Sequence, residues 1–189
     1  YKLLEQGQNR VYENELSKKY YFVALQTFED FQIISHSDYK NIEAFILEVL
    51  ESFASSAPKD TYLVLKHHPM DRGKKDYKPF IKKHAKRLGV SSRVKAVYDL
   101  HLPTLLKNAI GTITINSTVG ISSLYHHTPI ICTGRCFYDI EGLTSKGLTL
   151  DQFWENYTEV DEELFKKFRC YLIEKTQING SFYKGSESL

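Results

Sequence analysis

The chain alternates short apolar runs with longer segments in which apolar residues recur every three or four positions. The short runs are rich in β-branched and aromatic residues, as in buried strands, and cover residues 20–26, 62–66, 94–98, 110–115 and 129–132. The periodic segments predict helices over residues 39–55, 76–88, 103–109 and 117–126. Alternating strands and helices form parallel sheets with right-handed crossovers, so the sequence predicts an α/β, Rossmann-like parallel sheet flanked by helices.

The pattern changes after Gly134, where a loop leads into helices predicted over about 150–156 and 161–176. The 189 residues are enough to bury one substantial core. We therefore predict a lead-in over 1–19 and one domain over 20–189, with its C-terminal helices at about 149–180. The helix over 39–55 has the clearest pattern, and Ser37 or Asp38 could cap it.

Charge is distributed unevenly although the formal net charge is only +2. Residues 66–95 contain eleven Lys or Arg against two Asp, whereas residues 139–189 contain ten Asp or Glu against six Lys or Arg. A basic edge suits an anionic ligand or an anionic membrane surface, although a solvated basic helix would give the same composition. Tyrosines and phenylalanines fall mostly at predicted core positions, which disfavours a nucleic-acid interface.

The composition also indicates a compartment. The three cysteines form no Cys-x-x-Cys pair, so a disulfide framework or a zinc site is not expected and a reducing environment fits better. We found no apolar run long enough for a membrane span and no signal peptide, which predicts a cytoplasmic protein. The start at Tyr1, without a methionine, suggests a segment of something longer.

Polar residues follow each predicted strand, and the carboxyl ends of parallel strands meet at one edge of a sheet, where ligands bind. His68 precedes Pro69, so its backbone is biased to an extended conformation and its ring can project from that edge towards a phosphate or a leaving group. His67 should point the opposite way and have a structural role. The candidates are Gln26, Glu29, Asp30, Lys66, His67, His68, Asp99, His101, Asn116, Ser117, Thr118, Thr133, Gly134 and Arg135.

The segment from Asn116 to Gly120 lies at a predicted strand-to-helix junction. Its hydroxyls and the free amides of a helix N-terminus would suit an anion, although Ser117 could equally serve as a simple cap. The segment is not Gly-x-Ser-x-Gly, and the chain lacks the phosphate-loop and dinucleotide-binding glycine motifs. Together with the His68 region, this segment predicts a phosphate-bearing ligand.

Glu29 and Asp30 form the acidic pair that follows the first predicted strand. A carboxylate facing a cationic pocket could act as nucleophile or base on an electrophilic sugar carbon, but such pairs are also common in solvated turns. His126, His127, Cys132 and Cys136 match no standard metal spacing.

Taken in order, these motifs resemble the capsule polysaccharide biosynthesis/export family of KpsC and KpsS type. The resemblance extends from Tyr21 to Tyr183. It is specific as an ordered set, although each motif alone is weak. It rests on Ala24-Leu25-Gln26 with Asp30, Lys66-His67-His68-Pro69, Arg93 with His101-Leu102-Pro103, Asn116-Ser117-Thr118-Val119-Gly120, Tyr138-Asp139 with Gly142-Leu143-Thr144, Phe153-Trp154 and Thr176-Gln177-Ile178-Asn179-Gly180.

The resemblance implies a retaining β-Kdo transferase that uses CMP-Kdo as donor and a lipid-linked Kdo or glycan acceptor, at the cytoplasmic face of the inner membrane. The resemblance implies an architecture of two facing Rossmann-like domains, the GT-B arrangement. A chain of 189 residues holds one half, so we expect the CMP-sugar-binding half, with the N-terminal half missing. Peripheral membrane association and doubtful activity of the isolated piece follow from the same resemblance.

Carried over by position, the resemblance assigns Asp30 as the nucleophile, with Glu29 as the fallback, and His68 as the group that assists departure of CMP. Lys66, Asn116, Ser117 and Thr118 would bind the phosphate, and Gln26 would position the sugar. No metal or other cofactor is expected, because these groups and helix amides would neutralise the phosphate. Two alternatives remain: a non-catalytic export or scaffold module that binds an acidic glycan, and a transferase for another CMP-sugar such as a sialyl donor.

Overall fold

The computed structural model describes residues 9–176, and within that range the chain forms a five-stranded, fully parallel sheet. The strand order is β3-β2-β1-β4-β5, the order of a Rossmann-like half sheet. The α/β prediction is therefore confirmed. The strands are β1 (Tyr20–Ala24), β2 (Tyr62–Lys66), β3 (Val94–Val97), β4 (Gly111–Thr114) and β5 (Ile130–Cys132).

Helices connect successive strands and cover both faces of the sheet. Five of the six helices predicted from sequence end within about two residues of the observed bounds, a margin usual for helix termini, while the helix predicted over 39–55 starts three residues later. The helices are α1 (Phe31–His36), α2 (Ile42–Ser56), α3 (Lys78–Arg87), α4 (Leu102–Asn108), α5 (Val119–Tyr125), α6 (Leu150–Asn156) and α7 (Glu162–Thr176).

Two corrections concern the chain between β1 and α2. Asn41, not Ser37 or Asp38, caps α2, because its Oδ1 accepts a hydrogen bond from the Ala44 amide at 2.9 Å. The Ser37 hydroxyl instead donates to the Ile33 carbonyl at 2.6 Å and closes α1. The sequence pattern does not predict α1, because Phe31 and Ile34 are exposed and only Ile33 is buried, so the helix lacks an amphipathic pattern.

The first face of the sheet is covered mainly by α2 and α3. The apolar stripe of α2 packs on alternate residues of the central strands, among them Val23 and Leu65. Trp154 of α6 closes this core, with its indole Nε1 donating to Ser52 Oγ of α2 at 2.8 Å. Strand β1 lies at the centre of the sheet and is buried on both faces, which explains its uninterrupted apolar sequence.

The second face buries part of the lead-in. A short helix over residues 9–13 places Tyr12 against Tyr20, with ring centroids 5.5 Å apart, and Leu16 joins the same cluster. Residues 9–19 therefore contribute to the core of the domain. Residues 1–8 and 177–189, including the Gln177–Gly180 part of the resemblance and the end of the predicted domain, lie outside the described range.

Two expectations about the surface can be compared with the fold. The lysines and Arg87 of α3 are exposed, so this basic segment forms a solvated helix face. Within residues 9–176, no helix combines the length and the apolar character needed to cross a membrane.

Candidate active site

The order of the strands creates a crevice between β1 and β4. The chain runs from β1 outward to β2 and β3, then returns to place β4 on the other side of β1. Their following loops therefore diverge, and such switch points are where open α/β sheets bind ligands. Segments after β2, β1 and β4 stand side by side at this edge, spanning about 10 Å at the usual strand spacing. This edge gathers the predicted groups around Asp30, His68 and Ser117.

Gln26 and Asn116 connect the two sides of the crevice. Gln26 Nε2 donates to Asn116 Oδ1 at 2.8 Å, while the Asn116 backbone amide donates to Gln26 Oε1 at 3.2 Å. The remaining Nε2 hydrogen of Gln26 is directed to Asp30 Oδ2 at 2.9 Å. Gln26 is only 4% exposed, so its amide supports Asp30 from the protein side. Its contact with a sugar stays a prediction.

Asp30 is held by both of its carboxylate oxygens. Oδ2 accepts from Gln26, and Oδ1 accepts from the Gln32 amide at 2.9 Å as the cap of α1. The side chain is half-buried, so it is oriented by the protein yet still accessible. A carboxylate fixed in this way has the properties expected of a nucleophile.

Glu29, the fallback nucleophile, occupies a different environment. Its side chain is 66% exposed and lies 4.0 Å from Lys74 Nζ, a loose ion pair at the rim. No side-chain hydrogen bond among residues 9–176 fixes its carboxylate. The geometry therefore favours Asp30 over Glu29 for chemistry at a defined position.

His68 is half-buried and lies just beyond β2, at the start of a 3₁₀ turn over Pro69–Asp71. Its Nδ1 accepts a hydrogen bond from the Met70 amide at 3.2 Å. That contact assigns the proton of the neutral ring to Nε2, which becomes the donor. His68 can therefore present an N–H group at this edge, and its contact with a phosphate oxygen stays a prediction.

Lys66 ends β2 and is half-buried on the same side of the strand as His68. Burial lowers the pKa of its ammonium group, the nearby Asp99 carboxylate opposes that change, and Arg72 adds to it. Arg72 itself is ion-paired with Asp99. Lys66 is therefore a cationic group beside His68 whose charge is only partly hydrated.

In the segment after β4, Asn116 and Ser117 make hydrogen bonds within the protein, whereas Thr118 faces solvent. Asn116 Nδ2 donates to the Gln32 carbonyl at 3.1 Å, so this side chain holds the segment after β1. Ser117 Oγ accepts from the Val119 amide at 3.2 Å and acts as a local cap. Thr118 is exposed, and its side chain forms no capping bond within the described chain. Phosphate contacts of all three residues stay predictions.

Tyr138 fixes the position of the segment after β4 from the protein interior. Its ring is fully buried, and its hydroxyl donates to the Ser117 carbonyl. Gly120 lies directly against the ring, because a Cβ atom at this position would be 2.3 Å from Tyr138 Oη. The glycine is thus required for close packing. The motif alone could not show this, because Tyr138 is distant in sequence.

His67 has the structural position expected of it. The ring is 2% exposed, its Nε2 accepts from the Tyr77 amide at 3.0 Å, and Nδ1 contacts the Val97 carbonyl at 3.2 Å. Burial lowers the pKa of His67, while the Val97 carbonyl and Asp76 act in the opposite direction. The neutral ring therefore ties the basic segment after β2 to β3.

Asp71 lies in the turn after β2, beside the candidate residues, and is not among those predicted from the sequence. It is 1% exposed, and its Oδ1 accepts from Thr27 Oγ1 at 2.6 Å and from the Phe28 amide at 3.3 Å. Its position two residues after the His68-Pro69 pair was a possible signal, but aspartate is common in exposed turns. Only the contact with the segment after β1 distinguishes it.

Within residues 9–176, no group of three or more His, Cys, Asp or Glu side chains could hold a metal ion. Cys132 and Cys136 are half-buried free thiols. A hydrogen bond from Cys132 lowers the pKa of Cys136, whose own burial opposes the change.

Comparison with known proteins identifies the family of this chain. The family model described as "Capsule polysaccharide biosynthesis protein" matches residues 4–183. The capsule polysaccharide export protein KpsS of Escherichia coli is 49% identical over 170 residues, covering 90% of this chain and 43% of KpsS. The capsule polysaccharide modification protein LipB of Neisseria meningitidis serogroup A is 47% identical over 169 residues, covering 87% of this chain and 39% of LipB.

A solved structure shows a weaker likeness. The β-Kdo 2,7 transferase KpsC of Thermosulfurimonas dismutans has a TM-score of 0.49 at 17% identity, covering 89% of this chain and 61% of that one. The chain spans less than half the length of the two curated relatives. The extent of the family match and the identity to KpsS and LipB nevertheless decide its affiliation. This chain belongs to the capsule polysaccharide biosynthesis protein family.

Proposed function

We propose that this chain is the nucleotide-sugar-binding half of a retaining glycosyltransferase that moves Kdo from CMP-Kdo to a lipid-linked Kdo or glycan acceptor. The observation that carries the proposal is the bidentate support of Asp30, whose two oxygens accept from Gln26 Nε2 and the Gln32 amide at the switch point. A donor group, His68, follows the neighbouring strand. Nucleophile and leaving-group donor thus occupy adjacent strand ends.

The first step would transfer the sugar to the protein. An Asp30 oxygen attacks the anomeric carbon of Kdo, and the bond from that carbon to the CMP phosphate breaks with its electron pair leaving on oxygen. His68 Nε2–H hydrogen-bonds that phosphate and stabilises its departure. Lys66, Ser117 and Thr118 would bind the phosphate charge, so the step would need no metal ion.

The second step would restore the carboxylate. An acceptor hydroxyl attacks the same carbon and gives its proton to solvent water, while the bond from that carbon to Asp30 breaks and its electron pair returns to the carboxylate. Two inversions at one carbon give overall retention. Asp30 suits this role because Gln26 and Asn116 hold it while one side remains accessible, whereas Glu29 lies loosely at the rim.

The acceptor would come from elsewhere in the longer protein. We propose that this half faces a second Rossmann-like domain in a GT-B arrangement, since the curated relatives are more than twice as long as the matched region. A lipid-linked acceptor would bring the protein to the cytoplasmic face of the inner membrane as a peripheral protein. Both statements rest on the family resemblance.

The decisive experiment traps the intermediate. The complete protein is incubated with CMP-Kdo alone, digested and examined by mass spectrometry for a Kdo adduct on the peptide that contains Asp30. Asp30→Ala should abolish both the adduct and transfer, whereas Glu29→Gln should retain both. An adduct on Glu29, or full transfer by Asp30→Ala, would overturn the assignment of Asp30.

Binding measurements separate the alternatives. Titration with CMP should show binding that weakens about ten-fold or more in His68→Ala and Lys66→Ala, as expected for lost hydrogen bonds to a charged group. Lys83→Ala, an exposed lysine of α3, is the matched control and should bind CMP normally. A scaffold that binds acidic glycan would show no preference for CMP, and a sialyl transferase would use a CMP-sialic acid donor in place of CMP-Kdo.

A further inference from the structure

We infer that Asp71 is a positioning residue that sets the Asp30 carboxylate relative to His68. The inference rests on the proposed function for the roles of Asp30 and His68. The Asp71 side chain bonds neither the Asp30 carboxylate nor the His68 ring, but Asp71 joins the two segments that carry them. The described contacts form a continuous connection between these segments.

Three hydrogen bonds make up this connection. The Asp71 amide donates to the His68 carbonyl at 3.0 Å, within the 3₁₀ turn after β2. Asp71 Oδ1 accepts from Thr27 Oγ1 at 2.6 Å. The Thr27 carbonyl in turn accepts from the Asp30 amide at 3.0 Å. The chain of contacts from His68 through Asp71 and Thr27 to Asp30 crosses from one strand end to the next.

The Asp71 end of the connection is buried, which restricts its motion. Asp71 is 1% exposed, and its Oδ1 also accepts from the Phe28 amide at 3.3 Å. Charge-assisted hydrogen bonds in a site shielded from water are short and strong, and they resist displacement by solvent. The other oxygen, Oδ2, is buried without a hydrogen-bond partner within residues 9–176. Within residues 9–176, the hydrogen bonds of this carboxylate all go to Thr27 and Phe28, so its structural role is to hold the segment after β1.

The carbonyl of Asp71 stabilises the second segment from the other side. It accepts from the Lys74 and Lys75 amides at 2.9 and 3.0 Å and so shapes the basic turn that follows His68. One residue thus fixes the backbone around both the proposed nucleophile and the proposed phosphate donor. Misplacement of a reacting group by about 1 Å can lower a rate about 100-fold, so this tether should act on catalysis.

The test uses three variants of the complete protein. Thr27→Val removes the hydroxyl donor and leaves Asp71 in place, Asp71→Ala removes the acceptor, and Asp71→Asn keeps an acceptor oxygen. Thr61→Val is the matched control, because Thr61 Oγ1 makes a similar buried bond to the Pro58 carbonyl at 2.7 Å at the opposite edge of the sheet. The first readout is amide hydrogen exchange in peptides covering residues 26–32.

We expect faster exchange over 26–32 in Thr27→Val and Asp71→Ala, with protection retained in Asp71→Asn and Thr61→Val. We also expect kcat for Kdo transfer to fall about 10-fold to 100-fold in Thr27→Val. Its KM for CMP-Kdo should change less than about three-fold, because Thr27 lies outside the phosphate-binding groups. Asp71→Asn should recover most of kcat, which a general loss of stability would not predict.

Each outcome decides the inference. Unchanged exchange in Thr27→Val would show that the tether does not hold the segment, and faster exchange with unchanged kcat would show that the tether does not serve catalysis. If Asp71→Ala does not fold, Thr27→Val alone still decides both points. If the unmodified protein transfers no Kdo, the proposed function fails, while hydrogen exchange still tests whether Asp71 holds the segment.

Discussion

Gln26 and Asn116 join the ends of β1 and β4 through two hydrogen bonds, of 2.8 Å from Gln26 Nε2 to Asn116 Oδ1 and 3.2 Å from the Asn116 amide to Gln26 Oε1. Because the sheet order reverses between these two strands, their loops would otherwise separate. The Gln26 amide group closes this gap and uses its second N–H to orient Asp30. The pair therefore links the fold of the sheet to the geometry of the site.

Gln26→Glu should convert this support into a repulsion. The substitution places a carboxylate where the Gln26 amide nitrogen now lies, 2.9 Å from Asp30 Oδ2. Two acidic groups would then be in contact at a position where residue 26 is buried. Like charges at this distance raise the carboxyl pKa of the pair. A raised folded-state pKa means that stability is present at low pH and is lost as pH rises, so the variant should be more destabilised at pH 7.5 than at pH 5.

Urea unfolding at the two pH values measures this difference. The matched control is Gln152→Glu, an isosteric change in the capping box of α6, where Glu serves as well as Gln. The control should unfold like the unmodified chain at both pH values. Equal stability of Gln26→Glu at both pH values would contradict the proposed charge contact with Asp30.

Gly120→Ala should destabilise the protein even though alanine favours helices. The new methyl group would lie 2.3 to 2.4 Å from atoms of the Tyr138 ring, which is fully buried and cannot move freely. Overpacking of this kind costs about 1–3 kcal/mol, which corresponds to roughly 2–12 °C in Tm for a chain of this size. Thermal unfolding followed by circular dichroism measures the change.

Two further variants test whether overlap with the Tyr138 ring causes the loss of stability. Ser122→Ala places alanine in the same helix at a half-buried position away from Tyr138 and should change Tm little. Tyr138→Phe removes the hydrogen bond to the Ser117 carbonyl and should cost about 1 kcal/mol, but it should not rescue Gly120→Ala, because ring carbons are also within 2.4 Å. Full rescue would show that the hydroxyl alone causes the clash.

His67 should make the protein less stable in mild acid. The unfolded chain binds a proton near the ordinary histidine pKa of about 6.5, whereas burial lowers the pKa of native His67. The unfolded state therefore binds more protons, and the free energy of unfolding falls as pH drops from about 6.5 towards the lower pKa of the folded state. The slope is at most about 1.4 kcal/mol per pH unit from this residue.

His67→Gln should reduce this slope between pH 6.5 and 5, measured by urea unfolding. Part of it should remain, because burial and then neighbouring cations also lower the pKa of His126. His36→Gln, the same substitution at an exposed histidine that acts on neither His67 nor His126, should leave the slope as it is. A slope that His67→Gln does not change would place the coupled proton elsewhere.

Much of the architecture could be read from local patterns. Strand β1 is buried on both faces and appears in the sequence as an unbroken apolar run, and α2 shows its buried stripe at helical spacing. Short segments such as α1 could not be found this way, since a single buried residue, Ile33, produces no periodicity. The Asn41 cap was missed because several capping residues stand close together and side-chain direction selects among them.

The sequence by itself determined the fold class, the edge of the sheet that carries the polar groups, and the candidates Asp30 and His68, because period and strand-end position are local properties. Tertiary structure decided which candidate side chains are fixed by hydrogen bonds and which extend into solvent. Gln26 supports Asp30, Glu29 extends into solvent, and Asp71 joins the two key segments. The bond from Gln26 to Asp30 is local, but Gln26 is itself held by Asn116, 90 positions away, and Asp71 bonds Thr27, 44 positions away. These long-range contacts form only when the strands pair and bring distant loops to one edge.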